Sequence, residues 1–255
     1  MTNYLGERGE EIFGNVAVMV FVIDINNRPS IIERQSDYCK QCTGALQRHS
    51  PDAKLFILLH KSDLFTTTSP HTACRELESK LKRTALPILA VCHYTSIWDE
   101  SIYRAWSSIL ISLLPSIASI TTELSRFTER CRLQEAILFE RQTYLVLAHA
   151  GKRHPDARRF EKISNILKQV RMTTKKFEAT PVSFSFILGD DKPVGLILEQ
   201  VNDEALLLIV DYNANNERLE TLSLQILNSF KPILSALLAA SINEDGVDVD
   251  PHLLS

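Results

Sequence analysis

A chain of 255 residues with 45% hydrophobic content is long enough for one large or two ordinary domains with proper cores. A formal net charge of −3 and a pI near 6.2 argue against a general nucleic-acid binder. Five cysteines at irregular spacing point to a reducing compartment. No apolar run approaches the roughly 20 residues of a membrane span, so any membrane location is expected to come through a partner.

Residues 5–13 read as a short helix leading into a strand, Val16–Asp24. The stretch Val16 to Ile23 is unbroken apolar sequence, the pattern of a strand buried on both faces. Asn26-Asn27-Arg28-Pro29 makes a turn, with the proline suited to a first helical position. The helix that follows carries Ile31/Ile32, Gln35, Tyr38/Cys39, Cys42 and Ala45/Leu46 at the spacing of one buried face. Cys39 and Cys42 form a C-x-x-C, which suits redox chemistry or half a zinc site. With no second cysteine pair and both residues on the helix's apolar side, core packing is the expectation. An apolar strand, Leu55–Leu59, runs directly into His60-Lys61-Ser62-Asp63. A helix from about Ala73 to Thr84 follows, Pro87 opens a third strand, Ile88 to Cys92, and Thr95-Ser96-Ile97-Trp98-Asp99-Glu100 leads into a helix burying Ile102, Trp106, Ile109 and Leu113. Strand–helix alternation of this kind predicts a parallel sheet with right-handed crossovers.

Pro115 ends that helix, and Ile117 to Arg132 reads as a connecting helix. The pattern then changes. Thr143–His149 reads as a strand, Lys152-Arg153-His154 with Arg158 as a solvated basic loop, and Arg159–Arg171 as a helix. Val182 to Leu188 alternates apolar residues with serine, the mark of a half-exposed antiparallel strand or a partner surface. Turns at Gly189–Pro193 and Asn202-Asp203-Glu204 lead to strands Val194–Val201 and Ala205–Asp211, and a last helix starts near Glu217. One strand, one helix, a three-stranded meander and a closing helix make an α+β unit. The expected organisation is residues 1–115, a connecting helix 116–132, a second domain 133–242 and a disordered acidic tail 243–255.

Ligands in parallel α/β sheets bind at the carboxyl ends of strands, and two loops lie there. In the first, the Asp63 carboxylate can accept two N–H bonds from the edge of guanine, a charge-assisted bidentate contact that adenine does not reproduce. The Lys61 stem can lie along base and sugar. An ordinary strand-to-loop turn would also account for these four residues, but the second loop one βα unit later adds weight. Isolated histidines such as His93 and His149 read as strand-end or core residues, and no nucleophile–base arrangement supports a metabolic enzyme.

The His60-Lys61-Ser62-Asp63 loop, with His where most small GTPases have Asn, resembles the Rag/Gtr family of small GTPases. Ser50–Lys54, Thr95–Glu100, Ala105–Ile109, Leu138–Arg141 and Arg159–Ile166 resemble its A/B-type (RagA-like) subunits, from about Asn3 to Val170. The resemblance implies the C-terminal part of a P-loop GTPase domain, an α/β fold with three parallel strands, followed by an α+β roadblock-type dimerisation domain. It implies GTP or GDP as ligand, with His60, Lys61 and Asp63 on guanine and backbone N–H groups around Ser96 and Ile97 reaching its carbonyl. It further implies a C/D-type Rag partner and a cytoplasmic subunit recruited to the lysosomal or vacuolar surface, where it relays amino-acid availability to the TOR kinase complex.

A complete GTPase needs G-x-x-x-x-G-K-[ST], whose backbone N–H groups and lysine hold the phosphates. Among eight glycines only Gly151-Lys152 has the Gly-Lys order, with Arg153 next, and it lies downstream of the guanine loop. Met1-Thr2-Asn3-Tyr4 resembles the segment just after the family's third nucleotide motif. The Mg²⁺ ligands and catalytic glutamine are therefore expected to be missing, and these residues alone are expected neither to hydrolyse GTP nor to hold it tightly. A mis-called start and a genuine short form both account for this. The unblunted apolar run at Val16–Ile23 favours the first, because burying one large aliphatic side chain is worth about 1.5–3 kcal/mol against a domain margin of about 5–15 kcal/mol. The competing function is a nucleotide-independent scaffold or dimerisation module.

Overall fold

The structure, a computed structural model, describes residues 9–64, 70–151, 159–175, 183–188 and 193–243. Met1–Tyr4, the basic loop after Gly151, the turn at 189–192 and the tail from 244 lie outside the described residues. The chain forms two compact units, residues up to Ile109 and residues from Leu110.

The first unit is a parallel α/β layer. Helix α1 (Gly9–Phe13) precedes β1 (Val18–Asp24), then come α2 (Pro29–His49), β2 (Lys54–His60), α3 (Pro70–Ala85), β3 (Ala90–Thr95) and α4 (Ser101–Ser112). The strands pair in the order β1-β2-β3, both pairs parallel. Pro29 sits in the first turn of α2, where its missing N–H costs nothing. The same helix buries Cys39, Cys42, Ala45 and Leu46 against Leu55, Ile57 and Leu59 of β2. Cys39 and Cys42 are thus free thiols inside the core, and burial pushes the Cys39 thiol up to about 12. Such a thiol stays protonated and unreactive.

Two expectations change here. The strand predicted from Val16 starts at Val18, because the Val16 N–H is taken by Ser50 Oγ at 2.9 Å and Ser50 Oγ itself donates to the Phe13 carbonyl at 2.6 Å. That strand is also not buried on both faces. Among the described residues β1 pairs with β2 alone, only Ile23 in it is fully buried, and Val22 is 52% exposed. The third strand starts at Ala90 rather than Pro87. Ile88 N–H still donates to Ala85 O at 3.0 Å, so the turn off α3 reaches past the proline, whose preceding bond is cis.

The second unit is an antiparallel α+β layer. Helix α5 (Ile117–Arg130) is followed by β4 (Glu135–Glu140), β5 (Val146–Gly151), α6 (Arg159–Lys175), β6 (Ser183–Leu188), β7 (Val194–Gln200), β8 (Ala205–Asp211), α7 (Asn216–Gln225) and α8 (Lys231–Asn243). Its five-stranded sheet runs β5-β4-β8-β7-β6, with every pair antiparallel. This is the α+β unit that the residue pattern predicted, with one strand more. Strand β4 is that addition. It lies between β5 and β8, and Ala136, Ile137, Leu138 and Phe139 are each 0% exposed. A strand buried on both faces shows no alternation. Helix α5 is more than a connection, since Ile120, Leu124 and Phe127 join the second core and Phe127 stacks on Phe230 with ring centroids 4.0 Å apart.

Strand β5 starts at Val146 instead of Thr143, because the Glu140 carboxylate takes the N–H groups of Gln142 (2.8 Å) and Thr143 (2.6 Å) and Tyr144 turns through φ 57°. Gly195 on β7 is required by close approach, as a Cβ there would lie 2.4 Å from the Ala214 Cβ. The closing helix is apolar and long enough by composition to cross a membrane. Leu219, Leu222, Ile226, Phe230, Leu234 and Leu238 nevertheless form one buried row against the sheet. From Leu222 onward these positions are four apart, and a 3.6-residue helix overshoots by about 40° per step. The segment Ile226–Phe230, between α7 and α8, is wound as a wider π-helix, which takes back part of that overshoot.

Candidate functional site

The carboxyl ends of β2 and β3 lie side by side, with His60 opposite Thr95 in the parallel register and Asp24 opposite His60 on the other flank. This placement follows from the sequence, because the apolar run of β2 stops at His60 and the chain must turn out of the sheet. Lys61 adopts φ 65°, and Ser62–Leu64 closes a 3-10 turn with Leu64 N–H donating to Lys61 O at 3.2 Å. That turn lifts Asp63 beside the strand end. The Asp63 carboxylate, partly exposed, has no hydrogen-bond partner among the described residues.

His60 Nδ1 and Thr95 Oγ1 are 3.1 Å apart, so a direct hydrogen bond ties the first loop to the second. Thr95 and Ser96 are both 0% exposed, which fixes the start of the second loop. The structure therefore brings His60, Lys61, Asp63, Ser96 and Ile97 to one end of the sheet. It does not give the two backbone donors equal standing. Ser96 N–H is already committed to Ser101 Oγ at 2.8 Å, and Ser96 Oγ accepts the Trp98 N–H at 3.0 Å. The Ile97 N–H has no partner among the described residues, and Ile97 is 68% exposed.

A further group, Asp24, lies outside the sequence expectation. Its Oδ2 accepts from Lys61 Nζ at 2.5 Å, and its Oδ1 accepts the Asn26 N–H at 3.0 Å. Partial burial opposes ionisation of Asp24. The Lys61 and Asn26 hydrogen bonds, with the charges of Lys61 and His60, outweigh it and hold the carboxyl below its ordinary value. The signal was a carboxylate ending the strand that flanks β2, but parallel pairing had to be known before it could be connected to Lys61. The lysine stem is thus anchored beside the loop, with the Asp63 carboxylate and the Ile97 N–H, neither partnered among the described residues, at the same sheet end. That set can take a planar heterocycle carrying adjacent N–H donors and a carbonyl acceptor. Among the described residues no group of three or more His, Cys, Asp or Glu side chains is arranged to hold a metal ion.

A family model described as the Gtr1/RagA G protein conserved region matches residues 1–167. The chain is 40% identical to Ras-related GTP-binding protein B of Rattus norvegicus over 181 residues, covering 71% of this chain and 48% of that protein. It is 39% identical to Ras-related GTP-binding protein A of Dictyostelium discoideum, covering 70% of this chain and 59% of that protein. The GTP-binding protein gtr1 of Schizosaccharomyces pombe is 32% identical over 254 residues, 98% of this chain and 79% of that protein. The chain thus spans about half the length of the first of these relatives. On these similarities the chain belongs to the Gtr1/RagA family, among its A/B-type members.

Proposed function

We propose that this chain is the A/B-type, guanine-nucleotide-binding subunit of a Rag-type heterodimer. Asp63 holds the two N–H groups on the guanine edge, the Lys61 stem lies along the base, His60 braces the two loops, and the Ile97 N–H meets the base carbonyl. The observation that carries this reading is the Asp63 carboxylate, without a hydrogen-bond partner among the described residues, beside a loop that is tied to its own through the 3.1 Å His60–Thr95 contact. GTP and GDP are the ligands that the family suggests. The phosphate-loop pattern does not occur within these residues, and no Mg²⁺ ligand set is found among those described. Neither phosphate nor magnesium chemistry is therefore assigned to any side chain here.

The second unit supplies the contact with a C/D-type subunit. Its outer strand β6 has neighbours on one side only among the described residues, and Phe186 and Leu188 on it are 39% and 52% exposed. An open antiparallel edge with exposed apolar side chains favours strand addition by a partner. The same observation favours the second reading, a dimerisation module that needs no nucleotide. In the first reading the heterodimer sits on the lysosomal or vacuolar surface and relays amino-acid availability to the TOR kinase complex.

Guanine recognition separates the two readings. Xanthine carries a carbonyl where guanine carries its 2-amino group, so an amide in place of Asp63 can donate where the carboxylate accepts. The chain, co-purified with a C/D-type subunit, is expected to prefer guanosine over xanthosine by NMR titration, and Asp63→Asn is expected to reverse the order. Equal affinity for both nucleosides in the unaltered chain would leave only the dimerisation reading.

A further inference from the structure

The loop from Thr95 to Ser101 is held by a polarised chain of hydrogen bonds. Asp99 Oδ1 accepts the Ser101 N–H at 2.8 Å and also the Ser101 hydroxyl proton. A carboxylate only accepts. The Ser101 hydroxyl, its one proton spent on Asp99, therefore turns a lone pair toward the Ser96 N–H, which donates to it at 2.8 Å. Ser96 Oγ in turn accepts the Trp98 N–H at 3.0 Å. The N–H groups of Ser96, Trp98 and Ser101 are thus consumed within the loop, while those of Ile97, on a residue 68% exposed, and of Asp99 have no protein partner among those described.

We infer that Ser101 is a positioning residue for base recognition, oriented by Asp99, and that by holding the Ser96 N–H it sets the direction of the neighbouring Ile97 N–H. The inference rests on the guanine reading of the two loops. Ser101 touches no ligand and acts through the backbone of Ser96. Without its oxygen the buried Ser96 N–H loses its acceptor, and an unsatisfied buried donor is costly enough to turn the peptide toward another partner. The neighbouring Ile97 N–H turns with it. A helix-start serine with a capping role only would stabilise α4 and leave base selection alone, so the two roles separate experimentally.

The test compares the unaltered chain with Ser101→Ala and Ser101→Thr, reading the hydrogen exchange of the Ser96 amide and the affinities for guanosine and 6-thioguanosine by NMR. The thio analogue keeps the N–H groups that face Asp63 but offers sulfur, a weak acceptor, in place of the carbonyl oxygen. Ser101→Ala is expected to speed exchange at Ser96 and to weaken guanosine by about threefold to tenfold, the worth of one hydrogen bond. It should change 6-thioguanosine by less than about twofold. Ser101→Thr keeps the hydroxyl and should restore both readouts. If the unaltered chain shows no preference for guanosine, the guanine reading falls and the proposal with it. If that preference is present but Ser101→Ala lowers both nucleosides equally, or neither, Ser101 is a capping residue and the proposal alone is overturned.

Discussion

The two units bury their sheets in different ways. The second has helices α5, α7 and α8 on one sheet face, while α6 meets its β5 strand through the Phe160–His149 edge contact at 4.9 Å. Its inner strand β4 carries four consecutive side chains with no exposure. The first unit places one core between β2 and helices α2 and α3, and its outer strand β1 keeps Val22 52% exposed. An antiparallel sheet finds its neighbours within a short chain, whereas each strand of a parallel sheet waits for a crossover to return. A parallel layer with few strands therefore carries more uncovered edge for the same length. The two strand-end loops proposed to read guanine belong to the unit with the thinner cover.

This contrast is open to experiment, because both tryptophans, Trp98 and Trp106, lie in the first unit and report on it alone. The largest effect is expected from Arg159→Ala. Arg159 Nη2 donates to Glu135 Oε1 at 2.7 Å, and Glu135 is only 8% exposed, so the truncation leaves a buried carboxylate unpaired at a cost of about 3–5 kcal/mol. The urea transition seen by far-UV circular dichroism should shift, while tryptophan emission should not. Movement of both signals together would show that the units unfold as one.

Next in size is Ile57→Ala, which empties a fully buried site in the first core for about 2–5 kcal/mol. With its thinner cover this unit is expected to lose its tryptophan-detected transition in native buffer, while the dichroism of the second unit survives. A well-formed tryptophan transition in the variant would mean that the first unit has more margin than its exposed edge suggests.

The smallest effect is a pH slope. Burial, reinforced by the Arg159 charge and only partly countered by Glu135, lowers the His149 imidazole below its ordinary value. The unfolded chain, near 6.5, then takes up the proton first, so stability falls as pH drops below that value and is unaffected above it. Burial lowers His93 in the first unit too. Replacing His149 with Gln should therefore flatten the acid slope of the second unit and leave that of the first, read by dichroism and by tryptophan emission respectively.

Much of the first unit was legible because its signals are local. The apolar run of β2 ends at His60, and the buried face of α2 follows the helical period through Cys39, Cys42 and Leu46. Strand β4 was not legible as a strand, since Glu135-Ala-Ile-Leu-Phe-Glu140 has no alternation and abuts a helix. Four apolar residues bracketed by glutamates were the available signal. In β6 the alternation was read correctly as half-exposed. Yet Phe186 and Leu188 of the apolar row stand exposed, and the opposite row supplies Ile187 to the core. Which face of an outer strand is covered depends on helices distant in sequence. At the site, the motif placed His60, Lys61, Asp63 and Ile97 at one sheet end, but it gave no hint that Ser96 spends its N–H inside the loop. Nor did it reveal Asp24 as the anchor of Lys61, because that contact joins strands separated by a whole helix.

The π-wound turn at Ile226–Phe230 makes the closing helix a vernier. Its two halves keep a shared inward side only because one wide turn corrects their phase. Deleting one residue within that turn would leave the helix continuous and every side chain upstream in place. It would rotate Leu234 and Leu238 by about 100° off the sheet. Length changes here are therefore read as rotations, and a single codon in this stretch governs a whole apolar row far more tightly than any single substitution along it.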